Sequence, residues 1–117
     1  MFSTHDNGGY KESLPGIQQK TLVHGQKTLM VEFRLQKGAV LPKHKHPHEQ
    51  TGHLVSGCMD LAIGSETRRQ GPGDSWCIPG GMEHGATAVE DSVAVEVFAP
   101  VREDYLPSGD DDDEGMI

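Results

Sequence analysis

Residues 38–57 read GAVLPKHKHPHEQTGHLVSG, and this stretch holds four of the seven histidines of the chain. His44 and His46 are two positions apart, so on a β-strand both imidazoles lie on the same face. Pro47 then interrupts the strand, because proline cannot donate a ladder hydrogen bond. Gln50 can therefore begin the next strand and turn its side-chain amide back toward the two histidines.

A second stretch, residues 73–84, reads GDSWCIPGGMEH and supplies another histidine from a separate hairpin. His84 follows the turn residues Pro79, Gly80 and Gly81. Three imidazoles and one amide oxygen that converge on one point suit a borderline divalent metal ion such as Zn, Ni, Fe, Mn or Cu. We therefore predict one divalent metal ion, with the ligands His44, His46, Gln50 and His84.

The chain around these two stretches is typical of an all-β protein. In residues 28–36 the apolar side chains at 29, 31, 33 and 35 fall on one face, and Glu32 and Arg34 fall on the other. Glycine or proline stands at most junctions between such runs. The predicted strands are 28–36, 41–46, 50–56, 59–63, 75–78, 84–89 and 92–98. About eight antiparallel strands with no helical period indicate a sandwich or jelly roll.

The length of 117 residues fits one domain with one modest core. Aromatic residues make up only 5% of the chain, so we expect a core built largely from Val, Leu, Ile and Ala. We expect an N-terminal segment over residues 1–15, the β domain over 16–106 and an acidic, disordered tail over 107–117. The tail contains the acidic run DDDDE at residues 110–114, which has the composition of a solvated segment.

Charge and cysteine content exclude several classes of partner. The chain has no basic patch, which argues against nucleic acid and acidic membrane surfaces as partners. It has no apolar stretch of the roughly 20 residues that span a bilayer. Cys58 and Cys77 do not form a disulfide framework, and we expect free thiols in a cytoplasmic protein.

The spacing of the two stretches resembles the two sequence motifs of the cupins. The first likeness runs from Gly38 to Gly57 and the second from Gly73 to His84. The resemblance as a whole extends over about residues 30–98. The resemblance implies a cupin double-stranded β-helix, a jelly-roll barrel that holds the metal on His44, His46, Gln50 and His84. Gln50 stands where many cupins have Glu.

The substitution of Gln for Glu at position 50 has a chemical consequence. With Gln50 all four protein ligands are neutral, so a bound divalent ion keeps its full charge. Such an ion is a stronger Lewis acid and a better anchor for an anionic substrate. It is less suited to stabilising high-valent iron. The ligand set therefore favours isomerase or lyase chemistry on carboxylates over dioxygenase chemistry.

Glu96 is the one charged residue in the otherwise apolar segment 92–98, SVAVEVF. A strand that is apolar on both faces is covered on both faces, so this carboxylate must be paired or functional. One interpretation places Glu96 at a dimer seam or in a buried ion pair. The other places it at the metal cavity, with its pKa raised by burial and suited to general acid-base work.

A narrower resemblance concerns HPHEQ at 46–50 and VFAPVREDY at 97–105, which look like the pectin-degradation cupins of the KdgF type. These cupins promote ring opening and ketonisation of 4,5-unsaturated monouronates. The resemblance implies that Glu96 takes the place of the catalytic acidic residue. It also implies that Phe98 and Arg102 are pocket residues, with Arg102 binding the substrate carboxylate or a developing oxyanion.

Three functional hypotheses remain open from the sequence. The first is a metal-dependent cupin that acts on a small anionic, sugar-derived substrate, such as an unsaturated uronate. The second is an iron-dependent cupin dioxygenase, and the third is a non-catalytic cupin that binds or senses a small ligand.

We also expect a homodimer, in which residues 16–24 form a strand that adds to the partner's sheet.

Four residues near the predicted ligands receive structural rather than chemical roles. We expect His48 to be exposed in its loop and Glu49 to be solvated. His53 lies on the opposite face of its strand from Gln50, which favours a packing role. Cys77 is expected to be a small core residue.

Overall fold

The computed structural model describes residues 1–106, which form β-strands and one short 3₁₀ helix. The strands, in chain order, are β1 (Lys11–Leu14), β2 (Ile17–His24), β3 (Leu29–Leu35), β4 (Val40–His44), β5 (Glu49–Ser56), β6 (Met59–Ile63), β7 (Glu66–Gln70), β8 (Ser75–Ile78), β9 (His84–Ala88) and β10 (Ser92–Ala99). The 3₁₀ helix spans Glu103–Tyr105. Residues 107–117, the predicted disordered tail, lie outside the described residues.

The strands form two antiparallel sheets, as expected for a jelly roll. The larger sheet has the order β1-β2-β3-β10-β5-β8, and the smaller has the order β4-β9-β6-β7. Strands that are distant in sequence are neighbours in both sheets, as when β10 inserts between β3 and β5. The predicted all-β, jelly-roll fold is confirmed.

The core lies between the two sheets and follows from the alternation of side chains along each strand. In β3 every second residue is buried, beginning with Leu29, which is the pattern predicted from the sequence. In β10 the buried positions are Ser92, Ala94, Glu96 and Phe98. Because successive side chains of a strand point to opposite faces, Glu96 and Phe98 both point into the interior.

Two strands differ from the sequence-based expectation. β7 was not predicted because its sequence, ETRRQ, is polar and carries no alternation; it is an exposed edge strand held by backbone pairing with β6. The prediction that residues 16–24 add to a partner's sheet is wrong for this structure. Those residues form β2, which lies between β1 and β3 of its own chain. β1 itself falls within the predicted N-terminal segment 1–15.

Both cysteines are unpaired, as predicted. Cys77 is exposed and not part of the core, because it alternates along β8 with the inward-facing Trp76 and Ile78. Within residues 1–106 no helix is long and apolar enough to cross a membrane.

Candidate metal centre

Three histidines meet at one end of the barrel. His44 is the last residue of β4 and lies directly opposite His84, the first residue of β9. His46 follows in the connection to β5, because β4 ends two residues before the predicted boundary. One ring nitrogen from each of the three histidines lies within 4.8 Å of the other two. The structure therefore brings together the three histidines predicted from the sequence.

Backbone carbonyl groups determine which ring nitrogen of each histidine faces the centre. The Nδ1 atoms of His44, His46 and His84 lie 2.9, 3.1 and 2.9 Å from the carbonyl oxygens of Pro42, His48 and Met82. A carbonyl oxygen can only accept a hydrogen bond, so each Nδ1 carries the proton and each Nε2 keeps its lone pair. Among the described residues, Nε2 of His44 and of His84 is buried and has no hydrogen-bond partner. These are the features of imidazoles prepared to bind a metal ion.

Gln50 supplies a fourth donor atom. It is the second residue of β5, it is buried, and its Oε1 lies 3.1 Å from Nε2 of His46. Both atoms carry lone pairs in the orientation just described, so the contact is repulsive unless a positive charge lies near both of them. The four donor atoms thus fit a divalent metal ion, as the sequence predicted.

The ionisation of the histidines also suits a metal site. The pKa of His46 is lowered to about 4, mainly by burial and next by the positive charge of Arg102. Burial also lowers the pKa of His84. Both rings are therefore neutral at pH 7, and a neutral imidazole is the form that binds a metal.

Glu96 lies behind Gln50, in the interior of the barrel. Its Oε1 accepts hydrogen bonds from Nε2 of Gln50 at 2.8 Å and from Nε1 of Trp76 at 3.1 Å. These partners are neutral, so the interpretation of Glu96 as a buried ion pair is wrong. Burial raises the pKa of Glu96 to about 7, although the two hydrogen bonds lower it. A carboxyl group with such a pKa can both donate and accept a proton near neutral pH.

A small cavity of about 30 Å³ lies beside this carboxyl group. Gln50, His84 and Glu96 are its polar lining residues, and the remaining lining is apolar. The volume has room for one or two water molecules. The hydrogen bonds from Gln50 and Trp76 both go to Oε1 of Glu96, which leaves Oε2 as the oxygen available to such a molecule.

Arg102 is buried just before the 3₁₀ helix and is fully engaged by that segment. Its Nε and Nη2 bind the two carboxylate oxygens of Asp104 at 3.3 and 2.7 Å, and Nη1 donates to the Tyr105 hydroxyl at 3.0 Å. The guanidinium carbon also lies 4.0 Å from the ring centroid of Tyr105 and 5.2 Å from that of Phe98. Asp104 thus occupies the Nε–Nη2 edge of Arg102, the residue that the sequence assigned to a substrate carboxylate or oxyanion.

Phe98 connects Arg102 to the metal centre. Its side chain is fully buried, and its ring centroid lies 5.8 Å from that of His46. The two residues assigned to the pocket therefore lie on the His46 side of the centre.

The neighbouring residues differ in how well their positions were predicted. His48 is half-buried, not exposed, with its ring centroid 5.6 Å from that of His46. His53 is exposed on the outer face, where Nδ1 lies 2.9 Å from Oγ of Ser75, so the packing role is wrong. Glu49 is exposed, as predicted.

The contact of Trp76 with Glu96 was missed, because the pairing of β5 with β8 that creates it is not visible in the sequence.

Comparisons with known proteins identify close relatives in sequence and in structure. The family profile described as the cupin domain matches residues 31–100. The pectin degradation protein KdgF of Dickeya dadantii is 30% identical over 103 residues, which cover 86% of this chain and 94% of that protein. The structure of KdgF from Halomonas has a TM-score of 0.86 and 34% identity, with 91% of this chain and 98% of that chain covered. An RmlC-like cupin from Shewanella frigidimarina has a TM-score of 0.85 and 25% identity, with 90% and 95% covered.

Proposed function

The chain belongs to the cupin domain family, and we propose that it is a metal-dependent enzyme that acts on a small anionic, sugar-derived substrate. The reaction that we favour is ring opening and ketonisation of a 4,5-unsaturated uronate. Two KdgF proteins support this choice, because they match nearly the whole chain at 30% and 34% identity and one is named for pectin degradation. Pectin is a polymer of uronic acids, so its breakdown produces anionic sugars of this class.

One observation carries the proposal: the Nε2 atoms of three histidines meet the amide oxygen of Gln50 beside a buried carboxyl group. A divalent ion on His44, His46, Gln50 and His84 would supply Lewis acidity and chelate the substrate carboxylate with a neighbouring oxygen. The identity of the ion, among Zn, Ni, Fe, Mn and Cu, is left to metal analysis.

Glu96 is the proton-transfer group in this proposal. Opening the hemiacetal breaks the bond between C1 and the ring oxygen and moves the proton of the C1 hydroxyl to that oxygen, which leaves an aldehyde at C1 and an enol at C5. Ketonisation then removes the enol oxygen's proton and places a proton on C4, so the overall change is an isomerisation. Glu96 lines the cavity beside the candidate ligands, and its carboxyl group can take up the first proton and deliver the second.

Arg102 and Phe98 bind the substrate in the same proposal. Arg102 offers a planar guanidinium group that suits a carboxylate or a developing oxyanion. Phe98 supports both Arg102 and His46 from beneath. To bind Arg102, a substrate carboxylate would replace Asp104 at the Nε and Nη2 atoms of Arg102.

The test combines metal analysis with a uronate assay. The metal-loaded protein receives a 4,5-unsaturated monouronate released by a polysaccharide lyase, and loss of the ultraviolet absorbance of the C4–C5 double bond is followed. We expect faster loss with protein than without, and a decrease of about 100-fold or more for Glu96→Gln. Glu49→Gln is the matched control, since it makes the same change in charge at an exposed neighbour.

Other outcomes of this assay identify the alternative functions. Oxygen uptake that depends on iron and substrate would indicate a dioxygenase. Binding of the uronate without turnover, unaffected by Glu96→Gln, would indicate a binding or sensing cupin.

A further inference from the structure

Three residues form a row across the larger sheet, directly behind the metal centre. Glu96 of β10 is paired with Gly52 of β5, and Gly52 is paired with Trp76 of β8. All three positions face the interior, as does Gln50, two residues before Gly52 on the same strand. The side chains of Glu96 and Trp76 therefore approach each other from the two strands that flank β5.

The missing side chain of Gly52 makes this approach possible. A Cβ atom at position 52 would lie 2.2 Å from Nε1 of Trp76 and 2.5 Å from Oε1 of Glu96. Both distances are too short for non-bonded atoms, and they involve the two atoms that form the Trp76–Glu96 hydrogen bond. Any other residue at position 52 would separate the pair.

The hydrogen bonds of this group decide which way the Gln50 amide points. The indole N–H can only donate, so it holds Oε1 of Glu96 as an acceptor. The amide of Gln50 must therefore present its NH₂ group to Oε1, which leaves its own oxygen 3.1 Å from Nε2 of His46. The oxygen and the NH₂ group of an amide have nearly the same shape, so without Glu96 no hydrogen bond on this side would decide which of them faces the metal.

We propose that Glu96 and Trp76 are positioning residues for the metal centre: through the gap at Gly52 they hold Gln50 with its oxygen toward the metal. The proposal rests on the metal-dependent function proposed above. It also accounts for an amide at position 50, where many cupins have a carboxylate. A glutamate there would place a second acceptor oxygen against Oε1 of Glu96, with no N–H between them.

Metal affinity of Glu96 variants tests the proposal without any substrate. The metal-free full chain is titrated with Co²⁺ against a chelating indicator, and the visible spectrum of the bound ion is recorded. Glu96→Leu should weaken Co²⁺ binding by about 10- to 100-fold, the usual effect of removing a group that orients a ligand. Glu96→Gln should keep the affinity near that of the wild type, since a Gln oxygen still accepts both hydrogen bonds. Glu49→Leu is the control.

A double-mutant cycle separates positioning from damage to the fold. A carboxylate at position 50 has two equivalent oxygens and needs no orientation. Glu96→Leu should therefore cost much less Co²⁺ affinity in a Gln50→Glu background than in the wild type. An equal cost in both backgrounds would show that Glu96→Leu acts through the barrel as a whole and would overturn the proposal.

Trp76→Phe provides a milder variant if Glu96→Leu does not fold. It keeps an aromatic ring and removes the N–H together with part of the indole, so we expect a smaller loss of affinity than for Glu96→Leu and a changed Co²⁺ spectrum. Wild-type affinity and spectrum for both Trp76→Phe and Glu96→Leu would overturn this inference and leave the proposed function standing. Failure of the wild type to bind any divalent metal would instead remove the proposed function.

Discussion

The histidines around the metal centre differ in where their free ring nitrogens point. His84 has a buried, unpartnered Nε2, and one of its ring nitrogens lies within 4.8 Å of ring nitrogens of His44 and His46. His48 also has a buried, unpartnered nitrogen, Nδ1, but it is not part of that cluster, and its ring lies against that of His46. His48 is as near in sequence to His46 as His44 is, and only Pro47, which interrupts the strand, sets it apart at the level of sequence. Membership in the cluster of ring nitrogens is what separates the three candidate ligands from His48.

The first prediction concerns this distinction. His84→Ala should reduce the bound divalent metal to a small fraction of the wild-type content, because one of four ligands is lost, while the far-ultraviolet circular dichroism stays unchanged. His48→Ala should leave the metal content nearly as it was. Metal analysis of the two purified variants is the measurement, and equal losses would mean that the ligands are wrongly assigned.

At the level of elements, the segment after β10 places an internal carboxylate on Arg102. The Arg102–Asp104 pair is bidentate, and the Arg102 side chain is only 5% exposed. An incoming anion must therefore compete with Asp104. The 3₁₀ helix is itself fixed to β2 by the hydrogen bond from Oγ1 of Thr21 to the carbonyl oxygen of Tyr105.

The second prediction follows from this competition. Asp104→Asn should lower KM for the uronate by about threefold to tenfold without raising kcat, because one charged competitor for Arg102 is removed. Arg102→Ala should raise KM. Glu103→Gln, at the exposed neighbouring position, makes the same change in charge and should leave KM unchanged. Identical KM values for Asp104→Asn and the wild type would contradict the competition.

The third prediction compares two glycines in turns of the barrel. Gly38 and Gly57 have φ angles of +86° and +95°, which L-residues rarely adopt. A Cβ at Gly38 would meet open space, but a Cβ at Gly57 would lie 2.3 Å from the carbonyl oxygen of Asp91. Gly38→Ala should cost about 1 kcal/mol of stability from backbone strain alone, and Gly57→Ala should cost roughly 1–3 kcal/mol more from overpacking. Urea denaturation measures both, and equal costs would be inconsistent with a crowded Gly57.

The limits of sequence-based prediction are also clearest at the level of elements. Strands with strong alternation, such as β3 and β10, were predicted within one residue at each end, because one buried face imposes the period. The clustering of the three histidines was also predicted, from the spacing of two of them on a strand and the third after a turn. β7 and the Trp76–Glu96 contact were not, since each depends on which strands become neighbours, and local sequence does not encode that pairing.

At the scale of the whole molecule, the outer face of the larger sheet carries apolar side chains that a second copy of the chain could cover. Val55 on this face is 52% exposed, and the outward-facing Val93, Val95 and Val97 of β10 are half-buried. A run of valines on a solvent-facing sheet is a common site of association.

The fourth prediction is that the protein is a homodimer through this face. Sedimentation at micromolar concentration should show a dimer, and Val55→Asp should shift it toward monomer by placing a charge in the contact. Val40→Asp is a matched control, since Val40 is 53% exposed but lies on the smaller sheet. A wild-type protein that sediments only as a monomer would rule out the dimer.

The fifth prediction follows from the distribution of metal ligands between the sheets. His44 and His84 belong to the smaller sheet and Gln50 to the larger, so a bound ion connects the two. Free metal at 100 times its Kd should stabilise the fold by about 2.7 kcal/mol, provided that the unfolded chain does not bind it. Thermal unfolding with Ni²⁺ and with a chelator measures the shift, and coincident curves would contradict the connection.

Joining the sheets at one end has a further effect on the motions of the barrel. We expect backbone amides of β4, β5 and β9 to exchange with solvent when the two sheets separate near the candidate ligands, and a bound ion would oppose that opening. β7 carries none of the ligands and pairs only with β6 at the sheet edge, so we expect it to open independently of them. Addition of metal should therefore slow deuterium uptake in β4, β5 and β9 and leave uptake in β7 nearly unchanged, so that local opening rates report on the occupancy of the site.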